Sequence, residues 1–204
     1  MRIFSAGLEK VNLLDQYMNS KRNVLGGSTM EFNRLIEERR SIRAYSGGIC
    51  HEDLVSILTK AQQAPSWANT QGYKCYVAES EDAITAIREK ALPGFNSDRT
   101  ANAAYIVTTY LRDTVSFRDG QPMNEIGNGW AAYDLGLHDS YLLLAAKDAG
   151  YDTLIMGIRD SAALREILSI PDTEEVMAVI AIGKAAQEPV ARPRKALEEV
   201  TKFF

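Results

Sequence analysis

Histidine is scarce: the 204-residue chain has two, His51 and His138, and they do not stand at metal-ligand spacing from one another. With no G-x-S-x-G nucleophile turn either, neither a histidine-based triad nor a zinc mechanism is expected, and no metal site. His51, followed by Glu52 and Asp53, reads as a helix-start residue, and His138 as a hydrogen-bonded core histidine. Cysteine is equally scarce. Cys50 and Cys75 are the only two and form no CxxC pair, which fits reduced thiols in a cytoplasmic protein. Positive charge is not in excess: 23 Lys and Arg against 27 Asp and Glu leave a net charge of −4, so no global field draws nucleic acid or an anionic membrane. No apolar run approaches the roughly 20 residues that cross a bilayer, and the N-terminus lacks a signal-peptide core. The phosphate loop G-x-x-x-x-G-K-[ST] is missing. "GNGWAA" matches the dinucleotide fingerprint by letter at Gly127, Gly129 and Ala132, but the preceding "QPMNEI" is a poor strand.

What is present is the composition of an ordinary globular chain, 46% hydrophobic and 25% charged, which excludes disorder as the default. Residues 1–29 stand apart. Leu8, Val11, Leu14 and Met18 fall at helical spacing before "GGST" breaks the pattern, so this is either a short amphipathic helix or a loosely attached extension. Residues 30–204 form the expected domain. Phe32, Leu35 and Ile36 make one helical face, and Leu54, Ile57, Leu58 and Ala61 another that stops at Pro65. "YKCYVA" (73–78) and "AAYIVTTY" (103–110) read as strands around a helix at 81–90, and residues 111–129 as irregular. A long helix runs from Trp130 to Ala149, ended by Gly150, with apolar residues on more than one face, so burial nearly all round is expected. A strand near Thr153–Met156, a helix capped by Asp160 and the doubly apolar strand "VMAVIAIG" (176–183) complete the pattern. Without a strict βαβ repeat, this order predicts an α+β fold, a sheet flanked by helices. The tail ends in Phe203 and Phe204, too apolar to be left bare, which suggests cover from a partner subunit.

Two stretches carry candidate chemistry. In "EERRSIRAY" (37–45), Arg39 lies four residues after Leu35 and three after Ile36, on the stripe that faces the core. A guanidinium there needs an anion, from a carboxylate or a ligand phosphate. Arg40 can instead complement the helix C-terminus, while Arg43 projects from a turn; with Ser41 these forks suit bidentate phosphate binding without a glycine loop. In "APSWANTQ" (64–71) a helix stop leads into a loop where Ser66, Asn69, Thr70 and Gln71 crowd donors and acceptors. That suits a flat heteroaromatic ligand with several polar edges, though a plain turn would use some of the same residues.

Taken together, "RRSIRAY", "APSWANTQ", "GFNSDR", the segment "WAAYDLGLHDSYLLLAAKDAGYDTLIMG" and the tail "RPRKALEEV" resemble the FMN-dependent nitroreductase family, in order and spacing, from Met30 to the end. The resemblance implies a central mixed, mostly antiparallel sheet and an intertwined homodimer with FMN at the subunit interface. It assigns Arg39, Arg40, Ser41 and Arg43 to flavin contacts, and Arg192 and Arg194 to the phosphate. Pro65, Ser66, Trp67 and Asn69 would reach the flavin from the other subunit. Asn96 would read the pyrimidine ring; Arg99 stands where a lysine is common, keeping the charge but changing its geometry. Ile155, Met156 and Gly157 would form the turn that approaches flavin N5. The implied activity is an oxidoreductase with no catalytic side-chain nucleophile: hydride passes from NADH or NADPH through flavin N5 to a small-molecule acceptor such as a nitroaromatic or quinone, by a ping-pong route. Arg43 or Arg99 would stabilise charge at N1/O2. Phe117, Met123 and Trp130 are candidates for the pocket roof. The alternatives are a related flavin enzyme of dehalogenase or flavin-destroying type, or a non-catalytic flavin-binding protein.

Overall fold

Runs of branched residues bounded by Gly, Pro and Asp become strands, and the segments between them become helices, in a computed structural model that describes residues 31–204. The expected helix or extension at residues 1–29 lies outside the described residues. The chain divides into two units, Met1–Glu37 and Glu38–Phe204. The first is described only from residue 31; helix α1 (Phe32–Glu38), with Leu35 its buried position, starts one residue later and ends on the first residue of the second unit.

The second unit carries β1 (Tyr45–Gly47), α2 (His51–Ala61), a 3-10 turn (Trp67–Asn69), β2 (Tyr73–Ala78), α3 (Glu81–Ala86), a π-turn (Ile87–Ala91), α4 (Gly94–Arg99) and β3 (Ala104–Leu111). After these come β4 (Phe117–Arg118), β5 (Gln121–Pro122), α5 (Gly129–Asp148), β6 (Asp152–Met156), α6 (Ser161–Leu168), β7 (Glu174–Ala185) and α7 (Leu197–Val200). β7 is the axis of the main sheet: it pairs with β3, which pairs with β2, and on its other edge with β6 and β1. Every pairing between these strands is antiparallel, and a single parallel bridge joins Ser41 to Thr153. The α+β class with a mostly antiparallel sheet is therefore the one the chain adopts.

The apolar character of β3 and β7 on both faces has a direct cause, since each face meets its own layer. Ile106, Ile180 and Ile182 pack with Leu54 and Ile57 of α2 and Leu142 and Ala146 of α5, while Tyr105, Val107, Val179 and Ala181 pack on the other side with Ile87, Leu164 and Ile42. Burying each large aliphatic side chain contributes about 1.5–3 kcal/mol. Local chemistry sets the boundaries. Asp160 caps α6 by accepting from the N–H groups of Ala162 and Ala163 at 2.9 and 3.0 Å. Gly150, at φ 77°, takes the left-handed position that closes α5.

Two expectations need correction. α5 is not buried nearly all round: Ala131, Asp134, Leu135, His138, Leu142 and Ala146 face inward, but Tyr133 is 59% and Tyr141 44% exposed on the opposite face, with Gly136 and Ser140 between them. Its apolar residues outnumber what one protomer covers. Nor are residues 111–129 irregular throughout. β4 and β5 form a two-residue hairpin whose corner residues Asp119 and Gly120 have φ 52° and 73°, the signs a type I′ turn requires. Asn128 braces the segment, its Nδ2 donating to Asp113 Oδ1 at 2.9 Å and its Oδ1 accepting from the Asp113 N–H at 2.8 Å.

One hydroxyl links α2 to the residue just before β6 and makes stability depend on alkali. Tyr151 donates to Asp53 Oδ2 at 2.6 Å, and this bond, ahead of burial, pushes the phenol up from 10.0 to about 12. Below pH 10 folded and unfolded states both keep the proton, so the contribution is complete. Between about 10 and 12 the unfolded chain loses its proton first, and stability falls as pH rises. Urea unfolding across that window should show the fall, and Tyr151→Phe should flatten this part of it.

Candidate functional site

The arginine segment is held in place by backbone pairing. Beyond Arg40, Ser41 bridges Thr153, and the Ile42 N–H donates to the Thr153 carbonyl at 3.0 Å, so residues 41–42 run beside β6. β1 then pairs with the end of β7, where Gly183 is required: a Cβ at that position would collide with the Gly47 carbonyl. The Ala186 N–H donates to the Ala44 carbonyl at 2.9 Å, which starts the C-terminal tail alongside the same segment.

The consequence is electrostatic. Arg39 is half-buried, and its guanidinium is pushed below the ordinary arginine value by burial first, then by repulsion from Arg194 and Arg40. Three cations from two distant stretches thus crowd one place. Among the described residues no carboxylate pairs with Arg39, Arg40 or Arg194; Arg40 Nη1 donates instead to the Arg39 carbonyl at 2.8 Å. Like charges gathered so closely repel one another unless an anion lies among them. Arg43 is exposed, and its Nη1 donates to the Ser41 carbonyl at 3.3 Å. Arg192 is exposed on the tail.

The second stretch, residues 65–71, comes after α2. Ser66 Oγ accepts from the Gln71 N–H at 3.0 Å, and Asn69 Oδ1 accepts from Gln71 Nε2 at 3.1 Å. Ala68, Asn69 and Gln71 all have positive φ, of 46°, 55° and 50°. Pro65 is exposed, while the Trp67 ring lies 4.8 Å from that of Trp130, whose Nε1 donates to Asn124 Oδ1 at 3.0 Å. Trp130 is therefore tied to the hairpin segment. Phe117 is partly buried and Met123 is 49% exposed.

The third stretch leaves β6. Ile155 is 46% exposed, Met156 is buried and Gly157 is exposed. Among the described residues, a Cβ on Gly157 would meet no atom within 4 Å, and its φ is not in the left-handed region, so none of them demands glycine there. Asn96 is buried, with Nδ2 donating to the Ile158 carbonyl at 3.2 Å, which steadies the turn after β6. Arg99 stacks over Phe95 at 5.6 Å.

The family's sequence profile matches residues 36–184, which covers both β3–β7 pairing and all three stretches. The chain belongs to the nitroreductase family. A Bacillus subtilis protein provisionally assigned as an NAD(P)H nitroreductase is 28% identical to it over 203 residues, covering 85% of this chain and 97% of the relative. A Thermus thermophilus protein named NADH dehydrogenase is 27% identical, covering 80% and 91%. A crystal structure from Exiguobacterium sibiricum, provisionally a nitroreductase and in complex with FMN, superposes with a TM-score of 0.77 at 21% identity over 87% of this chain and 99% of that one. The nitroreductase fold is thus the observed architecture.

Sequence reasoning missed Asp134 in the polar seam on the inner face of α5, where His138 is the hydrogen-bonded core histidine that was expected. Asp134 Oδ2 accepts the Trp67 N–H at 2.8 Å. His138 is 1% exposed, has Nδ1 3.2 Å from Asp139 Oδ1, and stacks against Tyr73 at 4.1 Å. Cys75 Sγ lies 4.0 Å from His138 Nε2, and burial together with repulsion from Asp139 pushes its thiol up to about 12, which leaves it a weak nucleophile. The available signal was an i, i+4 pair of polar residues, Asp134 and His138, within an apolar run. Among the described residues no cluster of three or more His, Cys, Asp or Glu side chains could hold a metal, and no helix is long and apolar enough to cross a membrane.

Proposed function

We propose that this protein is an FMN-dependent oxidoreductase that passes hydride from NADH or NADPH to an electron-poor small molecule, a nitroaromatic or a quinone, and works as a homodimer. The observation that carries this reading is the mutual repulsion of Arg39, Arg40 and Arg194, none of which pairs with a carboxylate among the described residues; a cationic cluster of this kind suits the dianionic phosphate of FMN. The open space over Gly157 agrees: a glycine that its own chain does not require suits close approach by a planar ligand. FMN, when bound, supplies the two-electron chemistry that the side chains here do not.

The chain's own residues then bind and orient. Arg39, Arg40 and Arg194 hold the phosphate, with Arg192 at the rim. The polar loop with Pro65, Ser66, Trp67 and Asn69 serves the partner protomer's ligand. Ile155, Met156 and Gly157 present backbone at the open turn, and Asn96 braces that turn through Ile158. Arg43 is the better placed of the two candidate charge stabilisers. It spends one N–H on the Ser41 carbonyl and keeps the others, whereas Arg99 lies over the Phe95 ring.

Protein purified without added flavin should be yellow, and denaturation should release FMN. Anaerobic mixing with NADH and with NADPH should bleach the colour, and a nitroaromatic or quinone should restore it. A preparation that is colourless and does not take up FMN overturns the reading; one that binds FMN but is reduced by neither nicotinamide removes the enzyme and keeps the binding protein.

A further inference from the structure

The loop at residues 65–71 is internally strained and externally almost unattached, and one buried carboxylate makes the attachment. Ala68, Asn69 and Gln71 sit in the left-handed region without being glycine, a conformation that persists only where the surroundings enforce it. The bonds from Ser66 to Gln71, Asn69 to Gln71 and Trp67 to Thr70 tie the loop to itself. Among the described residues, the hydrogen bond from the Trp67 N–H to Asp134 Oδ2 is the one that ties residues 65–71 to another element. It is also the bond that the first N–H of a 3-10 turn would otherwise lack.

Asp134 has no other evident reason to be where it is. It is 4% exposed on the inner face of α5, one helical turn from Ala131 and His138, in a position where an apolar side chain would cost less. Burial holds its carboxyl above the ordinary aspartate range, and the Trp67 N–H counteracts that. The same turn of α5 carries Trp130, whose ring packs on Trp67. Helix and loop therefore meet through one hydrogen bond and one indole pair.

We propose that Asp134 is a positioning residue: it fixes the pose of the 65–71 loop against α5, and through that pose sets how the loop's polar edge meets FMN. The functional half of this statement rests on the FMN reading above; the loop half does not. An amide oxygen can accept the same N–H, so Asn should replace Asp134, and a leucine of similar volume should fill the space but leave Trp67 unheld.

The chain provides its own reporter. It has two tryptophans, Trp67 and Trp130, and they are this pair, so the exciton couplet in the circular dichroism of the full-length protein reads the loop pose with no other indole contributing. Asp134→Asn should keep the couplet and bind FMN about as tightly as the parent. Asp134→Leu should keep the parent melting temperature, lose the couplet and bind FMN ~10-fold or more weakly, the scale of a lost charge-assisted hydrogen bond. If Asp134→Leu does not fold, Asp134→Ala decides by the same two readings. A leucine or alanine variant with the parent couplet and parent FMN affinity overturns the proposal, as does an asparagine variant that loses both. A parent protein that binds no FMN sinks the functional reading, and the couplet still decides the loop.

Discussion

Charge reversal of Arg39 and Arg194 together is expected to strip FMN from the protein. The two guanidinium groups come from opposite ends of the domain, yet they are close enough that repulsion from Arg194 lowers the Arg39 pKa. Each phosphate contact of this kind contributes about 1.5–3 kcal/mol, so removing two weakens binding by about 10²–10⁴-fold before the new repulsion is added. The protomer itself should tolerate the change, because neither residue pairs with a carboxylate among the described residues. In the protein without ligand, relief of like-charge crowding should even raise the melting temperature slightly. Arg192→Glu alone, farther along the exposed tail, should weaken binding less. The measurement is FMN released per chain on denaturation, with a flavin titration of the stripped protein at low and high salt, since the parent's affinity should fall as salt rises. Full flavin content in the double variant would remove the phosphate assignment.

An arginine at Gly136 is the second change with a large expected effect, and it acts on assembly. The bare face of α5 presents Tyr133 and Tyr141 with Gly136 and Ser140 between them. A Cβ at Gly136 meets no atom of the described residues within 4 Å, and glycine is a poor helix former, so Gly136→Arg should leave the isolated protomer as stable or gain about 1 kcal/mol. In a dimer that packs this face, however, the new guanidinium would be buried without a partner, at a cost of several kcal/mol. Mass measured by light scattering should halve, and flavin should be lost with it if the 65–71 loop of one protomer completes the site of the other. A monomer that keeps FMN at the parent level would separate the loop from the partner's site. An undisturbed dimer would place the interface elsewhere.

The contrast between the two arginine-bearing ends shows how far the sequence could be read. Helical spacing put Arg39 on a core-facing stripe, and the structure has it half-buried beyond the end of α1 at Glu38. The stripe itself is covered only in part, since Leu35 is buried while Phe32 is 65% and Ile36 46% exposed, and the pairing of Ser41 and Ile42 with Thr153 follows directly after the helix ends. β1 was invisible because three residues, Tyr45–Gly47, carry no periodicity; what makes them a strand is the free edge of β7 and the absence of a side chain on Gly183. The hairpin at 117–122 was legible only in Asp119-Gly120, because strands of two residues are too short for alternation to show. Asp134 was missed because a polar residue in an apolar helix has no meaning until its partner is known, and that partner lies 67 residues away.

Composition and spacing alone determined the α+β class, the main strands and helices, the caps at Asp160 and Gly150, and where cationic and hydrogen-bonding side chains crowd into two short stretches. These arise from forces acting within a turn or two of chain. Only the tertiary structure decided that Arg194 joins Arg39 and Arg40, that the Trp67 loop hangs on Asp134, and that one face of α5 is left uncovered. Those depend on electrostatics, desolvation and packing between segments far apart in sequence, which local pattern does not encode.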